Sequence, residues 1–336
     1  MRAALSRLSV SRAHTLTLSR AHVSLPRVTR IRVAIAQAEV APDLDAGLEK
    51  TRALTRAATG GGAQLVAFPE TWLPGYPAWL DACRDAALWD HAPVKAEYAR
   101  MAANSVVIDG ESGRALGAIA REAKVTLVIG VIERVERGPG RGTLYNALLT
   151  FTPDGTLANH HRKLMPTFSE RLVWGAGDTN GLRAVETSAG RVGGMVCWEH
   201  WMPLARQTMH DSGEDVHVAA WPTVHEMHQV ASRHYAFEGR CFVLASGSLM
   251  RTSALPHDLE VHPGHAGEWA LRGGSMIAGP DGHVVTGPIF EREEVLIAEL
   301  DLERVKEESM TLDVSGHYAR TDCFDFRAVR RPRPTE

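Results

Sequence analysis

Between residues 31 and 330, short apolar runs rich in β-branched residues alternate with longer helical stretches, which predicts an α/β fold of layered, buried sheets. Composition agrees with this. The chain has 336 residues, 44% hydrophobic and 23% charged, enough for a large core, and no apolar run approaches the length of a membrane span.

The elements follow in order. IRVAIAQAEV (31–40) is the first strand. A helix capped near Asp43 runs to about Ala58 and closes at TGGG (59–62); glycines that follow a helix mark its stop and not a phosphate loop. A strand at 64–68 leads into an aromatic, proline-rich loop (69–79), and helical stretches continue to about Ala123. VTLVIGVIER (125–134), LYNALLTF (144–151) and LANHHRK (157–163) read as strands, the last two joined by the turn TPDGT. RVGGMVCW (191–198) is a strand, PLARQTMHDSG (203–213) a helix, VHVAAW (216–221) a strand, 226–240 a helix and CFVLASG (241–247) a strand. GGSMIAGPDGHVVTGP (273–288) is a hairpin, and EVLIAELDLERVKEE (294–308) a strand passing into a helix. With no repeat and no internal linker, residues 31–330 read as one domain, followed by a tail at 331–336.

Residues 1–30 stand apart, with six arginines and no carboxylate before Glu39. This is the composition of a mitochondrial transit peptide, or of a leader translated from an upstream start codon, and in either case it lies outside the fold. The net charge of -3 gives no reason to expect nucleic acid or an anionic membrane as partner. Four cysteines, Cys83, Cys197, Cys241 and Cys323, are widely spaced with no CxxC pair. That usage suits the reducing cytoplasm, or the mitochondrion if the leader is a targeting segment.

Three places put ionisable groups at the end of an apolar strand, where open α/β sheets keep their sites. In LVAFPETWLPGYPAW, Glu70 emerges into a stiff loop with Trp72, Tyr76 and Trp79. A loop carboxylate is ordinarily a solvated group, but one walled by aromatics has its pKa raised and becomes a usable base. In NHHRKLMPTFSERLVWGAGD, Lys163 either ends a basic surface strand or turns inward at LMP, with Glu170 and Trp174 following. In GGMVCWEH, Cys197 sits on a strand, turn and helix, with Gly193 and Gly194 permitting close backbone approach. Such a thiol is either core packing or a nucleophile whose pKa is lowered by the helix N-terminus and a nearby cation. His200, three residues on, is the first candidate for its partner.

Glu in FPETWLPGYP, Lys in HRKLMPT and Cys in GGMVCWEH resemble, in chain order, the Glu-Lys-Cys triad of the nitrilase superfamily of carbon-nitrogen hydrolases. HRKLMPTFSER, CWEH, EGRCFVLASG, GGSMIAGP and the late SGHYAR are similar to its nitrilase branch, and the resemblance covers about 31–330. It implies a four-layer αββα sandwich and no cofactor or metal. Cys197 would attack the nitrile carbon, Glu70 would be the general base, and Lys163 would stabilise charge in the tetrahedral intermediates. Glu170 would hold Lys163 charged and oriented, a role for which Glu133 in GVIERVERG competes. The Trp198 backbone N–H would join the oxyanion hole, and Tyr76, Trp174 and Trp198 would line the substrate pocket. The base is then Glu70, and neither Glu199 nor His200.

The substrate implied is a small nitrile, aromatic or arylaliphatic on the strength of the aromatic residues; a cyanide-hydrolysing relative or an amidase shares the triad. The family pairs its subunits into homodimers and larger spirals. Arg320-Thr321-Asp322 departs from the family's Arg-Pro-Asp, and WPTVHEMHQV (221–230) is a loose match that bears on substrate choice. Sixteen histidines raise a metal hydrolase as the rival, but His225/His228 and His262/His265 are three apart and there is no HExxH.

Overall fold

A computed structural model describes residues 29–265 and 267–333. The first half of the chain comprises β1 (Arg30–Gln37), α1 (Leu44–Gly60), β2 (Leu65–Ala67), α2 (Trp79–Ala82), α3 (Ala92–Ala103), α4 (Glu111–Ala123), β3 (Thr126–Arg134), β4 (Leu144–Phe151) and β5 (Leu157–Arg162). The second comprises β6 (Val185–Thr187), β7 (Gly190–Val196), α5 (Pro203–His210), β8 (Val216–Ala220), α6 (Glu226–Gly239), β9 (Phe242–Ser246), β10 (Leu249–Arg251), β11 (Trp269–Ala278), β12 (Val284–Phe290), β13 (Glu294–Asp301) and α7 (Glu303–Ser309).

The strands form two sheets, ordered β13-β1-β2-β3-β4-β5 and β10-β11-β9-β8-β7-β6, with β12 on β11. Alternation along β1 explains the layering. Ile31, Val33 and Ile35 point into the space between the sheets, where they pack with Val192, Val218 and Leu244 of the second sheet. Ala34 and Ala36 face the other way, onto a layer that includes Leu48 of α1 and Leu116, Ile119 and Ala120 of α4. On the second sheet Ala205 and Met209 of α5 and Ala231 and Tyr235 of α6 cover the outer face. The result is the expected αββα arrangement.

Local chemistry accounts for the boundaries. Asp43 caps α1, its Oδ1 accepting from the Ala46 N–H at 2.8 Å. The strand expected at 191–198 stops at Val196, because Cys197 turns into the left-handed region at φ 53°. Two strands lacked a sequence signal: β6 and β10 are three residues long, and β6 is largely solvent-facing. The arginine-rich leader falls outside the described residues except for Thr29 and Arg30, and Arg30 already opens β1. Near the C-terminus, Arg333 is tied to Asp178 at 2.7 Å and to the His160 ring.

Candidate active site

Glu70 leaves the end of β2 across a point where three backbones meet. A Cβ on Gly130 of β3 would lie within 3.0 Å of the Pro69 oxygen, the Thr71 nitrogen and the Glu70 Cα, so only glycine lets the loop settle onto β3. The Glu70 N–H donates to the Trp221 carbonyl at 3.3 Å. Its side chain is fully buried. Oε1 accepts from Asn146 Nδ2 at 2.6 Å and from Lys163 Nζ at 3.0 Å, while Oε2 has no hydrogen-bond partner among the described residues.

Lys163 follows the last residue of β5, and its N–H is fixed by the Asn146 carbonyl at 2.8 Å. The ammonium bridges Glu70 and Glu170, reaching Glu170 Oε2 at 2.7 Å. Glu170 sits in a 3₁₀ turn, Phe168–Leu172, where its Oε2 also accepts from the Thr167 N–H at 2.7 Å and its Oε1 accepts from the Tyr76 hydroxyl at 3.0 Å.

Cys197 opens a second 3₁₀ turn, Cys197–Trp201. Glu199 of that turn is a brace. It accepts from the Val196 N–H at 2.8 Å, the Leu164 N–H at 2.7 Å and the His161 ring at 2.8 Å, clamping the residue before Cys197 to the residue after Lys163. Ligand atoms of Glu70, Glu170 and Cys197 lie within 4.8 Å of one another. A metal ion could use that spacing, but the Lys163 ammonium already stands as the cation between the two carboxylates.

Electrostatics assign different states to these groups. Burial drives Glu70 up to about 7; Lys163 opposes this and Glu170 adds to it. Burial alone would lower Lys163, but Glu70, Cys197 and Glu170 reverse that and hold it firmly charged. The thiol corrects the expectation of a depressed pKa. Burial and the negative Glu70 push Cys197 well above the ordinary thiol range, with Lys163 and the Trp198 N–H only partly compensating, so at rest it is a thiol and not a thiolate.

A cavity of about 850 Å³ opens above Cys197, lined by Tyr76, Glu170, Trp198, Trp201 and His228 among others. Trp198 keeps 54% of its surface exposed as one wall. Trp174, expected as a wall, is not one. It is buried behind Tyr76, edge to face with ring centroids 6.0 Å apart, and packs in a cluster with Val173 and Leu144. Glu133 does not join the site either. It binds Arg162 at 2.9 Å and His160 at 2.7 Å, and although burial would raise it, these partners bring it down to about 2. His200 gives its Nδ1 to the Cys197 carbonyl at 2.7 Å, which leaves no Cys-His dyad. His225, His228 and His265 line the cavity but form no metal-ligating group among the described residues. Asn146 and Gly130 were missed. The one available signal was an asparagine within the apolar run LYNALLTF, since a polar residue there needs a buried partner.

The comparisons with known proteins bear on this geometry. The Carbon-nitrogen hydrolase family model matches residues 32–308. The chain belongs to the carbon-nitrogen hydrolase family. It is therefore a hydrolase acting on carbon-nitrogen bonds. It is 38% identical to an aliphatic nitrilase of Sinorhizobium fredii over 91% of this chain and 98% of that one. An arylacetonitrilase of Trametes versicolor is 34% identical over the same shares, 91% and 98%. The nitrilase branch is where these relatives put it. The fold is shared with a carbon-nitrogen hydrolase from Helicobacter pylori, at TM-score 0.64 and 21% identity over 87% of this chain and 96% of that one. It is shared equally with a superfamily protein from Xanthomonas campestris, at TM-score 0.64 and 19% identity over 90% and 100%.

Proposed function

We propose that this carbon-nitrogen hydrolase is a nitrilase that converts an organic nitrile to its carboxylic acid and ammonia, consuming two waters, with Cys197 as nucleophile. One observation supports this most: a buried carboxylate oxygen, Glu70 Oε2, is left without a partner in the cluster that holds Cys197, while Lys163 engages its sister oxygen. Because the resting thiol is protonated, Glu70 takes its proton as sulfur adds to the nitrile carbon and passes it to the nitrile nitrogen, giving a neutral thioimidate and restoring the carboxylate. Lys163 and the Trp198 N–H stabilise the charge that develops on nitrogen and then on oxygen. Glu70, acting through one water and then a second, drives loss of ammonia and hydrolysis of the thioester. Glu170 keeps Lys163 in place. The test is mass spectrometry of the protein quenched during turnover. A substrate-sized adduct on the Cys197 peptide, absent from Cys197→Ala, is expected; full hydrolysis by Cys197→Ala overturns the reading.

Aromatic or arylaliphatic nitriles are the proposed substrates. Support comes from the volume of the cavity, far larger than cyanide needs, and from Tyr76, Trp198 and Trp201 in its wall. Ammonia release from benzonitrile, phenylacetonitrile, a short aliphatic nitrile, cyanide and the matching amides checks this, and preference for cyanide or an amide would overturn it. The same reading has the subunits pairing into homodimers or larger assemblies in the cytoplasm; sedimentation velocity returning only monomer would refute the pairing. No helix among the described residues is long and apolar enough to cross a membrane.

A further inference from the structure

Behind Cys197 runs a line of buried polar side chains that the proposed chemistry does not use. His200 Nδ1 meets the Cys197 carbonyl at 2.7 Å, and His200 Nε2 meets His217 Nε2 at 3.0 Å. His217 Nδ1 meets Glu214 Oε1 at 2.7 Å, and Glu214 Oε2 accepts from the Tyr235 hydroxyl at 2.5 Å. The groups come from the Cys197 turn, β8, the segment before it and α6, and solvent reaches none of these side chains beyond about 1%. Trp221 stacks on the His200 ring at 4.8 Å, and the Tyr235 ring lies 3.9 Å from that of His217. Gly193 belongs to the same construction, because a Cβ there would strike the Glu214 carboxyl.

Proton counting fixes the direction of every bond. A carbonyl only accepts, so His200 carries its proton on Nδ1 and offers a bare Nε2. His217 must then donate from Nε2. Its Nδ1 faces Glu214 and needs a proton between them, which Glu214 supplies as a neutral acid whose other oxygen accepts from Tyr235. Moving that one proton onto His217 would change nothing downstream.

We propose that Tyr235, Glu214, His217 and His200 form a one-way hydrogen-bond chain that positions Cys197 for attack by holding its carbonyl and hence its left-handed backbone. This rests on Cys197 being the nucleophile. The four are positioning residues, since none touches substrate.

The chain has one removable proton. Burial raises Glu214 to about 8, against the opposing hydrogen bond of Tyr235 and the charge of His210, while burial keeps both His200 and His217 neutral. Below about pH 8 the chain is complete. Above it, Glu214 becomes an acceptor, His217 turns its proton toward it, and a bare nitrogen ends up facing the Cys197 carbonyl. Other titratable groups face these residues: His210, Cys241 and Asp215 around Glu214, His161 and Glu199 near His217, Glu238 near Tyr235, and His228 near His200. None of them hydrogen-bonds to Glu214 or His217 among the described residues.

The experiment compares kcat against pH for the parent, Glu214→Gln, Glu214→Leu and Tyr235→Phe, with ¹⁵N-histidine NMR on each to read the tautomers. An amide at 214 donates to His217 and accepts from Tyr235 at every pH. We expect an alkaline limb near pH 8 in the parent that disappears in Glu214→Gln. In Tyr235→Phe the limb moves to higher pH, because the hydroxyl that favours the carboxylate is gone. Glu214→Leu should lose roughly tenfold or more in kcat with KM changed by less than about threefold, and the amide should rescue most of that loss. The parent tautomers should be Nδ1–H on His200 and Nε2–H on His217. A Glu214→Gln profile that superimposes on the parent's, a Glu214→Leu enzyme with parental kcat, or the opposite tautomers would each overturn the proposal. Should Glu214→Leu fail to fold, Tyr235→Phe and Glu214→Gln still decide. Full hydrolysis by Cys197→Ala would instead sink the nucleophile assignment, and the tautomers would continue to report on the chain itself.

Discussion

The Lys163 ammonium and the Glu70 carboxylate meet at 3.0 Å with both side chains sealed from solvent, yet the cation engages only one of the two carboxylate oxygens. The free oxygen can take a proton while the engaged one keeps Glu70, the proposed base, partly ionised near neutrality, since it is raised to about 7 and not higher. A base works when ionised. The profile of kcat/KM should therefore rise with pH through an acid limb near 7 and lose up to about tenfold per pH unit below it. Glu70→Gln should remove that limb along with most of the activity, roughly 10²- to 10⁴-fold. An unchanged acid limb in Glu70→Gln would refute the assignment.

Asn146 tunes the proposed base. Its amide donates to Glu70 Oε1 at 2.6 Å, a bond that favours the ionised form and so lowers the pKa. Replacement by leucine takes that support away and leaves the burial that raises Glu70, so the acid limb should move to higher pH. Activity of Asn146→Leu, relative to the parent, should then fall more at about pH 6 than at about pH 8. Equal losses at both would mean that Asn146 only shapes the loop.

These two residues show what the sequence could reveal. Glu70 and Cys197 each follow an apolar strand, so pattern alone made them candidates at the strand ends, whereas Lys163 follows the polar run LANHHR and was singled out by the family motifs, which also gave the three their order. Asn146 is different, because its partner lies 76 residues away and its side chain leaves the middle of a strand that otherwise reads as core. Trp174 misled for a related reason. An aromatic next to a site residue fills either the cavity or the wall behind it, and only packing against Tyr76 decides which. The state of the thiol was equally hidden, since it depends on Glu70 and Glu170 lying nearer in space than any sequence spacing tells.

Lys163 also holds the site together mechanically. Without it, two buried carboxylates would face each other uncompensated, so Lys163→Met should destabilise the fold by about 3–5 kcal/mol. Adding Glu170→Gln relieves the repulsion, and the double variant should regain part of the lost stability without regaining turnover. Urea midpoints and ammonia release on the three proteins separate the two effects. A double variant no more stable than Lys163→Met would show that the ion cluster is not what the lysine supports.

Gly130 lies outside every motif. Its missing Cβ is the space taken by the Pro69 carbonyl, the Glu70 Cα and the Thr71 nitrogen, all of them backbone and so unable to move aside as a side-chain tip could. Thr71 is already in the left-handed region at φ 45°, which leaves the loop little freedom to readjust. Gly130→Ala should therefore cost about 1–3 kcal/mol of stability, as overpacking does. Its larger effect should be on the chemistry, because displacing Glu70 by even a few tenths of an ångström breaks its alignment with Lys163 and Cys197. We expect kcat to fall by roughly 10²-fold while KM changes little, for Gly130 is not part of the cavity wall. A rise in KM at unchanged kcat would show that the glycine shapes the substrate pocket and not the position of the base.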